Sequence, residues 1–219
     1  MTTGEVVPAL IVIDMQNDFV SGSLSVPGGA TIIGNINSLI SVPGFEARFA
    51  SKEFHPPNHV SFANTHKKKV LSKMIIYHPS DNERKNGVEQ TLWPVHCVKD
   101  TIGAEFVTGL KTSSFDAVVK KGVTPEVVSY SAFKDIWGWD STDLDARLKE
   151  KGVTDLYFVG LVTDCCVKWS AVDAQNLGYT AWVVKDAVKS AEPERKALED
   201  LESSGIKLTT TEEVKKLLC

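Results

Sequence analysis

Cysteine is scarce in this chain: four in 219 residues, at positions 97, 165, 166 and 219. That is too few, and too irregular, for a disulfide framework, and a bond between neighbours at 165 and 166 would be strained, so a reducing, cytoplasmic setting is expected. Long apolar runs are also missing. The first one, residues 6–13, is too short to span a bilayer and follows no basic segment, which argues against a membrane anchor or an export leader. Positive charge is not in excess: 24 Lys and Arg stand against 28 Asp and Glu, a net of −4. Nucleic acid and anionic membranes are therefore not expected as partners, and the single basic run, Lys67 to Lys69, reads as a solvated loop. No Gly-x-Gly-x-x-Gly follows the first strand, where Met15-Gln16-Asn17 stands instead, so a dinucleotide-binding module is disfavoured. Repeats, low-complexity segments and linkers are absent too, and residues 1–219 read as one domain.

What is present suits a sizeable core: 42% of residues are hydrophobic and 24% charged. Residues 9–13 form a continuous apolar run closed by Asp14, the pattern of a strand buried on both faces. A helical pattern covers 30–40, and a second strand 47–54. Residues 56–112 are polar, rich in turn formers and weakly periodic, which marks a functional segment or short hidden elements. Then the rhythm becomes regular. Strands are expected at 115–119, 156–159, 180–184 and 206–208. Helices are expected from Ser141 or Thr142 to Lys149, from an Asp164 cap to about Leu177, over 194–203 and over 211–218. Strands alternating with helices predict an α/β fold, a doubly wound sandwich whose central, mostly parallel sheet is flanked by helices. Sites in such sheets lie at the carboxyl ends of the strands. Asp14, Glu53 with His55, Lys121 and the Asp164-Cys165-Cys166 turn all follow predicted strands.

Two constellations carry chemistry. Glu53 and His55 are two apart, so an extended chain points both to one side, and His96 supplies a third donor from the long segment. One carboxylate and two imidazoles suit a divalent metal with open positions; the competing reading makes Glu53 and His55 surface loop residues. The second set is Asp14, Lys121 and Cys166. A cysteine on the first turn after a buried strand meets unpaired backbone N–H groups and the positive helix end, which favour a thiolate and a nearby oxyanion. A carboxylate takes the thiol proton and returns it to a leaving amine, and the lysine keeps that carboxylate ionised. The bland alternatives are a turn-capping Asp14, a solvated Lys121 and a packing Cys166.

Several motifs, in order along nearly the whole chain, resemble one family. Ile11-Val12-Ile13-Asp14-Met15-Gln16-Asn17-Asp18-Phe19 is similar to the opening motif of the isochorismatase-like cysteine hydrolases. Glu53-Phe54-His55-Pro56-Pro57-Asn58-His59 resembles the metal loop of the family's nicotinamidase branch, as do Leu92-Trp93-Pro94-Val95-His96-Cys97, Lys121-Gly122 and Tyr130-Ser131-Ala132-Phe133 in their places. Gly160 to Val167 resembles the nucleophile turn, and its spacing makes Cys166 the nucleophile and Cys165 a packing group. The resemblance implies hydrolysis of nicotinamide to nicotinate and ammonia in NAD salvage, with Asp14 as base and Lys121 as its partner. It further implies Glu53, His55 and His96 around a divalent metal, zinc first, with manganese or iron as alternatives. The family has aspartate where this chain has Glu53, so glutamate either ligates bidentately or holds a metal-bound water; His59 is a reserve ligand in some relatives. Phe19, Trp93 and Tyr130 would wall the ring, and the N–H groups of Val162 and Cys166, with a cis Leu161–Val162 peptide, would form the oxyanion hole. Pyrazinamide-like analogues would fit as substrates, and a homo-oligomer is compatible with the pattern. Other readings are a different amidohydrolase of the family, an isochorismatase, or, outside it, a non-haem iron oxygenase.

Overall fold

The computed structural model describes residues 5–219. Its centre is a six-stranded parallel sheet in the order β5-β2-β1-β6-β7-β8. In chain order the elements are β1 (Pro8–Ile13), the single turn α1 (Asn17–Val20), α2 (Ile33–Ile40), β2 (Ala47–Glu53) and β3 (Lys73–Tyr77). There follow β4 (Gly87–Thr91), β5 (Ala117–Lys121), α3 (Leu144–Glu150), β6 (Asp155–Leu161) and α4 (Lys168–Asn176). The chain closes with β7 (Thr180–Lys189), α5 (Glu194–Ser203), β8 (Lys207–Thr209) and α6 (Thr211–Leu218).

Every residue of β1 is buried, and its side chains alternate between two cores. Ala9, Ile11 and Ile13 meet Leu144 and Leu148 of α3, Ala171 and Ala174 of α4 and Leu201 of α5. Leu10 and Val12 meet Ile36 and Leu39 of α2 and Val214 of α6. A parallel sheet covered on both faces requires such unbroken apolar strands, and the expected doubly wound α/β fold is the one found. Among the described residues no helix is long and apolar enough to cross a membrane.

One expectation is made specific and three need correction. Within 56–112, β3 and β4 form an antiparallel hairpin outside the main sheet. Only Ile76 in β3 and the polar Gln90 in β4 are buried, too little apolar burial to impose alternation on the sequence. The strand expected at 115–119 lies two residues later, ending at Lys121. The strand expected to stop at Val184 continues to Lys189, past the exposed Lys185 and Asp186 that interrupt the apolar run, with an irregular register against β6. Asp164 caps nothing. Residues Thr163–Val167 wind as a π-helical turn ahead of α4, and the Asp164 carboxylate accepts the Ala191 N–H at 2.9 Å instead.

Candidate active site

The carboxyl ends of β1, β2, β5 and β6 converge on a buried cluster. At the end of β1, Asp14 turns at φ 46, a region open to few non-glycine residues. Beside it Gly160 lets β6 approach: a Cβ there would lie 2.1 Å from the Ile13 carbonyl oxygen. Lys121, the last residue of β5, is buried and sits at the middle of the cluster. Its Nζ lies 3.0 Å from Asp14 Oδ2, 3.0 Å from Glu53 Oε1 and 3.5 Å from Cys166 Sγ, and it donates to the Ser129 carbonyl at 3.2 Å. Acceptor atoms of Asp14, Glu53 and Cys166 all lie within 4.8 Å of one another. Ser51 donates to Asp14 Oδ1 at 2.7 Å, whereas Oδ2 faces the ammonium without an aligned hydrogen bond among the described residues.

Charge states follow from this packing. Burial works against the Lys121 ammonium, yet Asp14, Cys166 and Glu53 around it hold its pKa well above the ordinary lysine value. Burial also pushes the Glu53 carboxyl up, but Lys121 and His55 override it and hold it well below the usual range. For Asp14 burial prevails over Lys121, and its pKa is raised. The Cys166 thiol is raised well above normal by its Cys165 neighbour and by burial, against the pull of Lys121. The resting group is therefore a thiol. Any thiolate favoured by the helix end and the lysine therefore forms only when an acceptor takes the proton, and Asp14, made more basic by burial, is the one expected.

The second constellation shares Glu53. His55 Nδ1 donates to the Gly122 carbonyl at 2.8 Å, and His96 Nδ1 to the Pro94 carbonyl at 2.7 Å. Carbonyls only accept, so Nδ1 carries a proton in both rings and Nε2 is the nitrogen left for a cation. Each Nε2 faces Glu53 Oε2, at 3.0 Å from His55 and 2.9 Å from His96. Three electron-pair donors turned on one another are a cation's donor set, and such spacing suits neighbouring ligands about 2.1 Å from a shared ion. Glycine at 122 is required here, because a Cβ would lie 2.4 Å from the His55 ring. His59 is not a ligand in this arrangement: Nε2 donates to the Val127 carbonyl at 2.9 Å and Nδ1 accepts from Ser61 Oγ at 2.7 Å. Its ring stacks 4.1 Å from that of His55.

A cavity of about 130 Å³ opens onto both sets, and Phe19, Trp93, Tyr130 and Val162 all line it, as expected. Cys165, expected to pack away from the chemistry, is half-buried and lines it too. The Leu161–Val162 peptide is cis. Sequence reasoning missed Ser51, Ser129, Gln16 and Gln90. Gln90, on β4, holds the Tyr130 hydroxyl at 2.8 Å, and the side chain of Gln16 bonds the backbone of Glu53. Nothing in a lone serine or glutamine announces such a partner, which only the fold brings near.

The fold and the site define a class: a parallel α/β protein with a buried cysteine, aspartate and lysine at its strand ends, beside a three-donor cation set. Residues 8–213 match the isochorismatase domain family. The chain is 36% identical over 211 residues to the nicotinamidase of Saccharomyces cerevisiae, covering 90% of this chain and 96% of that protein. The structure of the yeast nicotinamidase bound to the inhibitor nicotinaldehyde superposes with a TM-score of 0.87 at 34% identity, covering 93% of this chain and 99% of that one. A Pyrococcus horikoshii pyrazinamidase in complex with zinc superposes with a TM-score of 0.72 at 34% identity, covering 93% and 98%. The chain belongs to the isochorismatase family.

Proposed function

We propose that this chain is a nicotinamidase, an amidohydrolase that converts nicotinamide to nicotinate and ammonia through a thioester on Cys166. The observation that carries this reading is that Cys166, with Asp14 and Lys121 against it, opens on the same small cavity as Glu53, His55 and His96. A rigid planar substrate with a ring nitrogen on one side and a carboxamide on the other spans such a pair of sites. Glu53, His55 and His96 would hold a divalent metal, zinc in the first instance with manganese or iron as alternatives. Such an ion would supply a positive charge at the end of the cavity where a ring nitrogen would lie.

The chain's own residues do the rest. Phe19, Trp93 and Tyr130 wall the ring, and aromatic faces bind a flat heterocycle while losing little rotamer freedom. Holding the carboxamide carbon against sulfur supplies a large part of the acceleration. Asp14 takes the Cys166 proton as the sulfur attacks the amide carbon, and the N–H groups of Val162 and Cys166 stabilise the tetrahedral oxyanion. The protonated Asp14 gives that proton to the departing amine. Ammonia leaves, and a nicotinoyl thioester remains on Cys166. Asp14, ionised again, takes a proton from water, whose oxygen attacks the thioester carbon; the C–S bond breaks, Asp14 returns that proton to sulfur, and nicotinic acid departs, losing its own proton to solvent as nicotinate. Lys121 keeps Asp14 and Glu53 ionised between these steps. Pyrazinamide, with the same ring nitrogen and carboxamide, is a second substrate on this reading, and the reaction belongs to NAD salvage in the cytosol.

The test is ammonia release from nicotinamide by the purified chain loaded with zinc, measured beside pyrazinamide, aliphatic amides and isochorismate. Turnover of the two ring amides above the others supports the assignment. Turnover of isochorismate or of an aliphatic amide alone moves the chain to another branch of its family.

A further inference from the structure

The strands that carry Asp14 and Glu53 part company just before the site. β1 and β2 pair in parallel as far as Val12 and Ala50, and the chain then leaves the ladder at the left-handed turn of Asp14. Along a parallel strand, successive residues present their N–H and C=O to opposite neighbours. The Phe54 N–H bonds the Lys121 carbonyl on the β5 side at 3.0 Å. The N–H and C=O of Glu53 therefore face the side that β1 has vacated. Both are buried there, where an unpaired backbone group is destabilising.

The Gln16 side chain fills the gap. Its Oε1 accepts the Glu53 N–H at 2.8 Å, and its Nε2 donates to the Glu53 carbonyl at 2.8 Å and to the Ala104 carbonyl at 2.9 Å. Gln16 is fully buried, and these bonds use its acceptor and both donors. A carboxamide is a peptide group in miniature, with donor and acceptor on one plane, so it pairs Glu53 as a neighbouring strand would. Of the twenty side chains only Asn shares that chemistry, and it is one methylene too short. Gln16 also lies two residues beyond Asp14, and its own N–H bonds the Asp14 carbonyl at 2.7 Å. One side chain thus links the segment bearing the base to the residue bearing the shared carboxylate.

We propose that Gln16 is a positioning residue for the metal centre: its carboxamide replaces a missing strand and fixes Glu53 with one oxygen toward His55 and His96 and the other toward Lys121. The inference rests on the reading of Glu53, His55 and His96 as metal ligands given above. It makes no contact claim on the substrate, since Gln16 does not line the cavity.

The experiment measures zinc affinity of the purified chain by competition with a chromophoric chelator, for wild type, Gln16→Leu and Gln16→Asn. His55→Ala serves as the ligand-loss reference, and Ile36→Val, a remote core change, as the stability control. The expected result is zinc binding about 10–100-fold weaker in both Gln16 variants, the range typical of residues that orient a ligand from behind. Ile36→Val should keep wild-type affinity. Asn matters because it preserves the amide and folds if Leu, which orphans three backbone groups, does not. Zinc affinity within twofold of wild type in either folded variant overturns the proposal. Nicotinamide turnover is read in the same samples. A wild type that binds zinc through His55 yet hydrolyses no ring amide sinks the proposed function alone, while turnover with indifferent Gln16 variants sinks this inference alone.

Discussion

At the level of single side chains, the two cysteines of the nucleophile turn divide the chemistry. Cys166→Ala should lower nicotinamide turnover by on the order of 10⁴-fold or more, because the bond-forming atom is gone, and Asp14→Asn by about 10²–10⁴-fold, because the thiol then has no acceptor for its proton. Cys165→Ala should keep most of the activity; ammonia release decides, and the reverse pattern would move the nucleophile. His59 offers a test of a different kind. Burial, with His55 beside it, pushes its pKa down to about 3 from an ordinary 6.5. The unfolded chain therefore binds the proton that the folded chain refuses, and the stability this neutral ring contributes, complete above about pH 6.5, is lost as pH falls toward 3. Urea midpoints at pH 7 and pH 5, taken with chelator present, should fall less for His59→Gln than for wild type. The candidate side chains were named from the predicted strand ends and from the family motifs they resemble, and the fold brings them together. Charge states were not legible in the sequence, because the thiol's proton depends on burial and on Glu53, Asp14 and Lys121 arriving from separate strands.

Among the elements, legibility followed burial. β1 and β6 are buried along their whole length, and apart from Asp155 at the start of β6 their sequences are apolar runs that could be read directly. The β3–β4 hairpin buries only Ile76 and Gln90, one of them polar, and its residues carry no such signature. β5 shows the intermediate case: its last two residues are lysines, one exposed and one buried against carboxylates, so its apolar pattern stops before the strand does. Local chemistry starts α6, although it misled at Asp164. At the start of α6 the Thr210 hydroxyl accepts the Glu213 N–H, and the Glu213 carboxylate accepts the Thr210 N–H at 2.8 Å. Thr210→Ala should cost about 1 kcal/mol of stability, read from the urea midpoint with unchanged slope, and leave nicotinamide turnover intact.

For the molecule as a whole, the doubly wound plan explains why the site is where it is: four parallel strands end on one edge, and each delivers one charged or nucleophilic group. The sequence announced that edge through alternation of strands and helices, yet the way Glu53 serves both constellations emerged only in three dimensions. Because the donor set is assembled by folding, metal and fold should be coupled. Zinc at about 100 times its dissociation constant should stabilise the chain by about 2.7 kcal/mol, and His55→Ala or His96→Ala should abolish that increment. Chelation should remove ring-amide turnover, and return of zinc, manganese or iron should restore it. Activity that survives complete demetallation would eliminate the metal from the reaction.

The buried ammonium of Lys121 has a consequence beyond catalysis. Asp14, Glu53 and Cys166 surround it with two carboxylates and a sulfur close enough together to chelate. Soft ions prize that combination. The lysine ammonium fills that hollow as a plug would, which leaves Glu53, His55 and His96 as the other candidate donor set among the described residues. Lys121→Ala should therefore take up a second equivalent of zinc or cadmium per chain, counted by elemental analysis after desalting, and a stoichiometry unchanged from wild type would show that the hollow collapses once the plug is withdrawn.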